Sequence, residues 1–408
     1  GIDRYRTKCM SLSLEDALTR HKKAGLYRER KILQGLAGIQ RRYNDKNFFS
    51  FCSNDYLGLA QHPAVIKAFQ QAANDYGIGS GASHFLGAYS RVHHELEQAL
   101  AEFLNFSRVL VFSTGYMANI GILASLLHRQ DAIFADKLNH ASLIDGARLS
   151  AASFKRYAHN NLISLDRQLI RSSARHNFII SDSVFSMDGD LALLPDLVEK
   201  AKKYSATLLI DDSHGLGVLG RKGAGISDYF ELKPDILSGG FGKAFGCFGG
   251  FAAANEAIIE HLIQFSRPYM YTTALPPAIA KAIHTSLILL QAENWRREKL
   301  QGLISHFKQM AAHLGLPVLP SQSPIQALLI GGTEPTIALA TYLLQNGFLV
   351  NAIRPPTVAK NTSRLRISLS ALHTKNEIDR LLEQIALGLK VVKVNGKSIR
   401  KKKNRASF

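Results

Sequence analysis

Ser238-Gly-Gly-Phe-Gly-Lys-Ala-Phe-Gly246 sets one lysine, Lys243, among glycines directly after a short apolar run, Asp235–Leu237. Glycine neighbours let backbone approach a bound group closely, and a lysine in such a setting can act as an amine rather than as a surface charge. A Schiff-base lysine requires this setting. Glycine-flanked lysines also occur in phosphate loops and ordinary turns, so the company the stretch keeps decides its reading.

Working outward, short β-branched or apolar runs fall at Arg108–Phe112, Ala132–Phe134, Phe178–Ser181, Thr207–Ile210, Asp235–Leu237 and Gly249–Ala253. Amphipathic segments predict helices at Leu12–Gln34, Pro63–Tyr76, Val92–Leu104, Met117–Leu127, Leu194–Tyr204 and Pro277–Leu300. Strands separated by helices or long loops imply crossover connections, hence an α/β fold with a mostly parallel central sheet flanked by helices. From about Leu300 the pattern becomes helix, strand, helix, strand, strand, helix, which reads as a smaller C-terminal α/β domain.

The chain has 408 residues, 46% of them hydrophobic, enough for a large and a small domain. No apolar run reaches membrane-spanning length and the N-terminus has no signal-peptide core. Cys9, Cys52 and Cys247 are scattered and odd in number, which argues against a disulfide framework or a zinc ribbon and for a cytoplasmic protein. The net charge is +18, and Lys390–Phe408 carries eight basic residues and no acidic one. A solvated, flexible tail is the plainer reading of that run; nucleic acid or an anionic surface is the alternative, and neither nucleic acid nor membrane is expected as a partner. The basic body suits acidic small partners such as a coenzyme A thioester or an acidic carrier protein.

Ligand-binding residues of open α/β sheets lie in loops at the C-terminal strand ends. Phe112-Ser-Thr-Gly-Tyr-Met-Ala-Asn119 follows a strand and opens a helix, so the amides of Gly115 and Tyr116 can point at a phosphate, or Ser113 or Thr114 is simply an N-cap. Thr207-Leu-Leu-Ile-Asp-Asp-Ser-His214 delivers two carboxylates and a histidine to a strand end, which packing does not explain. Asp211 needs a cationic or hydrogen-bonding partner there; a protonated pyridine nitrogen, a structural ion pair, or a metal shared with His140 would each serve. Gly215-Leu-Gly-Val-Leu-Gly220 matches a dinucleotide fingerprint in spelling, but the fingerprint must open a helix, and Arg221-Lys-Gly-Ala-Gly225 follows instead.

Ser53-Asn-Asp-Tyr-Leu-Gly58, His140-Ala-Ser142, Phe185-Ser-Met-Asp-Gly-Asp190, Asp211-Asp-Ser-His214, Phe241-Gly-Lys243, Tyr271-Thr-Thr-Ala-Leu-Pro-Pro277 and Arg364-Leu-Arg366 occur in the order of the motifs of the α-oxoamine synthases. The chain resembles that family over about residues 12–389. The resemblance implies a fold type I transferase dependent on pyridoxal 5'-phosphate, which condenses an amino acid with an acyl thioester and releases carbon dioxide. It also implies a large cofactor-binding domain at 51–298 and a small C-terminal α/β domain at 299–390, with residues 1–50 an N-terminal extension and helix and 391–408 the basic tail. Ala352-Ile-Arg-Pro-Pro-Thr-Val358 and Gly81-Ala-Ser-His84 are most similar to the branch that joins L-alanine to a pimeloyl thioester, carried by coenzyme A or by acyl carrier protein.

By the same resemblance, Lys243 forms the Schiff base and removes the α-proton, and Asp211 keeps the pyridine nitrogen protonated. His140 stacks on the ring, while Ser186 and His214 hydrogen-bond its phenolic oxygen. Gly115 and Tyr116 hold the phosphate together with Thr272 or Thr273 of the other subunit, so the resemblance implies a homodimer with shared active sites. Arg366, assisted by Asn54, clamps the amino-acid carboxylate; Arg354, Thr357 and Arg28 are placed toward the far end of the acyl chain. No metal is implied. Three positions depart from the family pattern: Gly240 stands where a phosphate-binding threonine is usual, and Ala88 and Ser183 replace glycines.

Overall fold

The computed structural model describes residues 2–392, with side chains described from Ser13 onward. The basic tail beyond residue 392 lies outside the described residues. In chain order the elements are α1 (Ile2–Lys23), β1 (Gln40–Tyr43), β2 (Lys46–Ser50), α2 (Pro63–Tyr76), α3 (Arg91–Leu104), β3 (Arg108–Phe112), α4 (Gly115–Leu126), β4 (Ala132–Asp136), α5 (Ala141–Leu149), β5 (Ser153–Tyr157), α6 (Leu162–Ile170), β6 (Asn177–Asp182), α7 (Leu194–Lys203), β7 (Thr207–Asp211) and α8 (Ile226–Phe230). There follow β8 (Ile236–Gly240), β9 (Gly250–Ala254), α9 (Glu256–Phe265), α10 (Arg267–Met270), α11 (Pro277–Ala292), α12 (Trp295–His313), β10 (Ile325–Gly331), α13 (Thr333–Gln345), β11 (Phe348–Leu349), β12 (Asn351–Ile353), β13 (Ser363–Ser368) and α14 (Lys375–Val391).

Seven strands form the central sheet in the order β3-β9-β8-β7-β6-β4-β5. All neighbours are parallel except β9, which runs against both β3 and β8. The inner strands are apolar without a polar face because both sheet faces are covered by helices. Alternation decides which core each residue joins: Ile179, Leu208, Ile210 and Leu237 pack into one cluster, whereas Ile180, Leu209 and Ile236 point into the other. Register then aligns Asp182 and Asp211, the last residues of β6 and β7, side by side with Ser238 of β8.

The C-terminal elements build a second, three-stranded antiparallel sheet, β10-β13-β12. The hairpin β1–β2 joins this end of the molecule, with β2 parallel to β11. Its two-residue turn is Asn44-Asp45, both at positive φ, the geometry whose twist matches the flanking strands.

The first helix stops at Lys23 rather than continuing to Gln34. Gly25 turns left-handed at φ +67, and the Leu26 amide reaches back to the His21 carbonyl, a Schellman-type stop. The segment expected as one helix over Pro277–Leu300 is two, α11 and α12. The buried Arg297 donates to the Leu290 carbonyl at 2.6 Å and so caps the open end of α11, while Arg296 donates to the Leu57 carbonyl at 2.9 Å. Residues 213–223 hold turns and no helix, as the reading against a dinucleotide site requires. Among the described residues, no helix is long and apolar enough to cross a membrane.

Candidate active site

The loops after β3, β4, β6, β7 and β8 converge at the C-terminal edge of the sheet. Lys243 lies half-buried in the turn after β8. Burial lowers its pKa below the ordinary lysine value; Arg366 acts in the same direction, and the carboxylates of Asp211, Asp182 and Asp212 oppose it. The amine therefore sits between acids at the strand ends and a guanidinium from β13.

Asp211 is buried, and each of its oxygens is engaged: Asn119 Nδ2 donates to Oδ2 at 2.7 Å, and the Ser213 amide donates to Oδ1 at 2.9 Å. Asn119 lies fully buried on α4. It also donates to Ser142 Oγ at 2.9 Å and accepts from Ser238 Oγ at 2.6 Å, so one side chain ties β7, β8 and the start of α5 together. Sequence reasoning passed over Asn119, although a polar residue on the buried face of the otherwise apolar Ala118–Leu123 stretch was the available signal.

Asp182, beside Asp211 in the sheet, accepts from the His140 backbone amide at 2.7 Å. Burial and then the Asp211 charge push its pKa well above the carboxylate range. His140 caps α5, with Nδ1 2.8 Å from Ser142 Oγ, and its ring meets Tyr116 edge-on with centroids 6.0 Å apart. Burial lowers its pKa, which favours the neutral imidazole.

A second group lies on the C-terminal side. Arg366, buried on β13, donates through Nε to the Ser186 carbonyl at 2.5 Å, through Nη1 to Ser368 Oγ at 2.8 Å and through Nη2 to Asn54 Oδ1 at 3.1 Å. Tyr56, fully buried, places its hydroxyl 2.7 Å from His214 Nδ1 and 3.3 Å from Asn54 Oδ1. Burial pushes the Tyr56 phenol up to about 12. His214 is driven well below its ordinary value by burial, then by the positive charges of Lys243 and Arg366. Both groups are therefore neutral at pH 7.

At the start of α4 the backbone itself is the surface. Thr114 is the N-cap, accepting from the Met117 amide at 3.0 Å, and the Gly115 amide opens the helix. A Cβ on Gly250 would overlap the Gly115 nitrogen, and one on Gly115 would come within 3.2 Å of the Gly239 carbonyl, so three segments meet with only hydrogens between them. Gly240 differs: a Cβ there finds nothing nearer than Ser213 Oγ at 3.5 Å. Ser113 Oγ donates to the Thr273 carbonyl of the same chain at 3.2 Å, which sets the Thr273 backbone beside the start of α4. Of the other departures, Ala88 and Ser183 are both buried.

Arg28, Arg354 and Thr357 form a third group. Arg28 donates to Thr357 Oγ1 at 2.7 Å, Arg354 donates to the Tyr27 carbonyl, and the two guanidiniums face each other closely enough that Arg28 lowers the pKa of Arg354 after burial does. Among the described residues neither guanidinium forms a salt bridge, and two neighbouring cations of this kind suit an anion. Among the described residues no hydrogen bond joins this group to the Lys243 group. Nor does any cluster of three or more His, Cys, Asp or Glu side chains among them have the arrangement of a metal site.

These residues fit pyridoxal phosphate. A glycine-lined helix N-terminus suits its phosphate, Asp211 suits its pyridinium, and Lys243, held toward its neutral form by burial, suits its aldehyde.

The family model for class I and II aminotransferases matches residues 46–385. An 8-amino-7-oxononanoate synthase of Nitrosococcus oceani is 51% identical over 88% of this chain and 96% of its own, and one of Saccharophagus degradans is 49% identical over 91% and 95%. Among solved structures, the serine palmitoyltransferase of Sphingomonas wittichii superposes with a TM-score of 0.88 at 30% identity, covering 93% of this chain and 98% of that one. The 8-amino-7-oxononanoate synthase of Francisella tularensis gives 0.73 at 34% identity, covering 84% and 98%.

Proposed function

The chain belongs to the class I and II aminotransferase family, and we propose that within it this enzyme is an 8-amino-7-oxononanoate synthase. It condenses L-alanine with a pimeloyl thioester, releasing carbon dioxide and free thiol. The observation that supports this most is the close relationship, near half identity across almost the whole chain, to synthases of that name.

Pyridoxal phosphate, when bound, supplies the electron sink that lets the α-carbon of the amino acid carry negative charge. Gly115, Tyr116, Ser186, His140, Asp211 and His214 are the residues assigned to hold it, with Thr272 or Thr273 reaching across a dimer interface. Lys243 is the base at the α-carbon: burial keeps its amine ready to accept a proton there. Arg366 has a planar guanidinium backed by Ser186, Ser368 and Asn54, and binds the alanine carboxylate. The α-carbon attacks the thioester carbonyl, a carbon–carbon bond forms as the carbon–sulfur bond breaks, and the thiolate leaves and takes a proton from solvent. The carboxylate is then lost as carbon dioxide and Lys243 returns the proton to the same carbon. Arg28, Arg354 and Thr357 receive the distal carboxylate of the acyl chain or its ester.

Release of free thiol from a pimeloyl thioester by cofactor-loaded protein tests the assignment, with glycine and L-serine as parallel amino acids. Release that requires L-alanine supports it. Turnover with glycine alone keeps the chemistry and moves the substrate; no release with any amino acid overturns the proposal.

A further inference from the structure

We propose that His159 is a positioning residue of the amino-acid site: it pins the segment 183–190 to the end of β4, and thereby fixes the Ser186 carbonyl against which the Arg366 guanidinium rests. This builds on the reading of Arg366 as the carboxylate clamp.

The segment 183–190 runs between the sheet and the C-terminal elements and is held from both sides. On the C-terminal side, Arg366 Nε donates to the Ser186 carbonyl, Arg364 pairs with Asp188, and Ser321 Oγ donates to the Gly189 carbonyl at 2.9 Å. On the sheet side the charged contact is His159. Its Nδ1 lies 3.0 Å from Asp136 Oδ1, at the end of β4, and its Nε2 lies 2.8 Å from Asp190 Oδ2. The ring stands edge-on to Phe185, with centroids 4.4 Å apart, so it also touches the residue before Ser186. Asn160 repeats the connection more weakly, giving its amide to Asp136 at 2.8 Å and its side chain to Asp190 and the Leu191 carbonyl, each at 3.1 Å.

Ionised carboxylates only accept hydrogen bonds, and a neutral imidazole has only one N–H. An acid at each ring nitrogen therefore calls for the doubly protonated form. Asp136 is fully buried and the histidine mostly so, which makes the pair far less screened than a surface bridge. The charged groups facing the ring are Asp136 and Asp190; Tyr157, beside Asp136, is held neutral by burial and by that same charge. The bonds and charges of the two acids outweigh burial and lift His159 to about 9. A pKa raised in the fold makes the contribution complete below the unfolded value near 6.5, and it is lost as pH climbs through about 9.

The experiment compares His159→Gln and Asp190→Asn with wild type as holoenzymes, and includes Arg366→Ala. Readouts are KM for L-alanine, KM for the pimeloyl thioester, and hydrogen exchange of the 183–190 peptide. Both pinning variants are expected to raise the alanine KM about tenfold and local exchange about tenfold, while the thioester KM stays within about twofold. In wild type the alanine KM climbs above about pH 9; in His159→Gln it is already high and flat. A fall in Tm with unchanged alanine KM and unchanged local exchange overturns the proposal and leaves an ordinary ion pair. If His159→Gln does not fold, Asp190→Asn, at a part-exposed position, decides by the same criteria. An unchanged alanine KM in Arg366→Ala overturns the carboxylate reading itself, and the proposal with it.

Discussion

Asn119 Nδ2 stands 2.7 Å from Asp211 Oδ2, in a place that admits no water-exposed alternative for either group. The same amide serves Ser142, and its carbonyl takes the Ser238 hydroxyl. Truncation to Ala strands buried partners on three elements, and each stranded group costs about 1–3 kcal/mol. Asn119→Ala is expected to lower the Tm and to weaken cofactor binding about tenfold by freeing the Asp211 carboxylate to rotate. Thermal unfolding with and without added pyridoxal phosphate, together with an absorbance titration, checks both. Undiminished cofactor affinity would mean that Asn119 is a structural polar residue and nothing more.

Lys243→Ala is expected to cut thiol release by at least about a thousandfold, the range of a lost general base compounded by loss of the cofactor link. The Tm is expected to hold or rise, because burial disfavours the charged amine in the native state. Single-turnover kinetics and calorimetry separate these effects; turnover within tenfold of wild type would remove Lys243 from the chemistry.

Gly240→Ser fills open space rather than packed space. The nearest atoms to a new Cβ are Ser213 Oγ at 3.5 Å and the Gly249 carbonyl at 3.7 Å, and Gly240 does not need a left-handed backbone. One added hydroxyl at a phosphate seat contributes about 1 kcal/mol, so the Kd for pyridoxal phosphate is expected to fall about fivefold. Cofactor release measured by dialysis against a competing aldehyde reads this directly, and unchanged retention would place the phosphate elsewhere.

His373 gives the stability curve a slope on the acid side. It is buried, lies face to face with Phe51 at 4.1 Å, accepts the Ser370 amide on Nδ1 at 2.9 Å and sits 3.1 Å from the Ser50 carbonyl on Nε2. These partners suit the neutral ring, and burial lowers its pKa to about 4. The unfolded chain binds the proton first as pH falls, so this contribution is complete above about 6.5 and is lost as pH drops toward 4. The loss is on the order of 3 kcal/mol. His84 is lowered into the same range by burial, so the measurement is a difference: Tm against pH for wild type and His373→Gln should run closer together at pH 4.5 than at pH 7.5. Parallel curves would assign the slope to other groups.

The parallel core was legible because strands buried on both faces must be apolar throughout, and the runs around Ile179, Leu209 and Leu237 have no competing helical period. β5 was not read as a strand. As an edge strand it carries Ser153, Lys155 and Arg156, none of them fully buried, and loses the apolar signature. The β1–β2 hairpin was missed because it uses Asn-Asp rather than a glycine-bearing turn. The two-helix break at Glu293–Asn294 is set by Arg296 and Arg297 reaching carbonyls of other turns, which no local propensity encodes.

In the site, residues at strand ends could be named from sequence because an acid, histidine or lysine after an apolar run has few packing explanations. Asn119 left only the signal of a polar residue on an apolar helix face, and His159 left none. Their partners are distant in sequence, 92 residues on for Asn119–Asp211 and 31 for His159–Asp190, and only the crossover topology brings them together.

The meeting of Gly115, Gly239 and Gly250 limits how this protein can change over generations. Packed side chains drift in pairs, one enlarging as its neighbour shrinks. Here the neighbour is peptide backbone, which has no smaller version, so no second substitution can rescue a methyl group at Gly250. On the proposed placement of the phosphate, its seat is a fixed point whose affinity is adjusted only from the rim, by the hydroxyls at Ser113 and Ser213 and by a side chain added at Gly240.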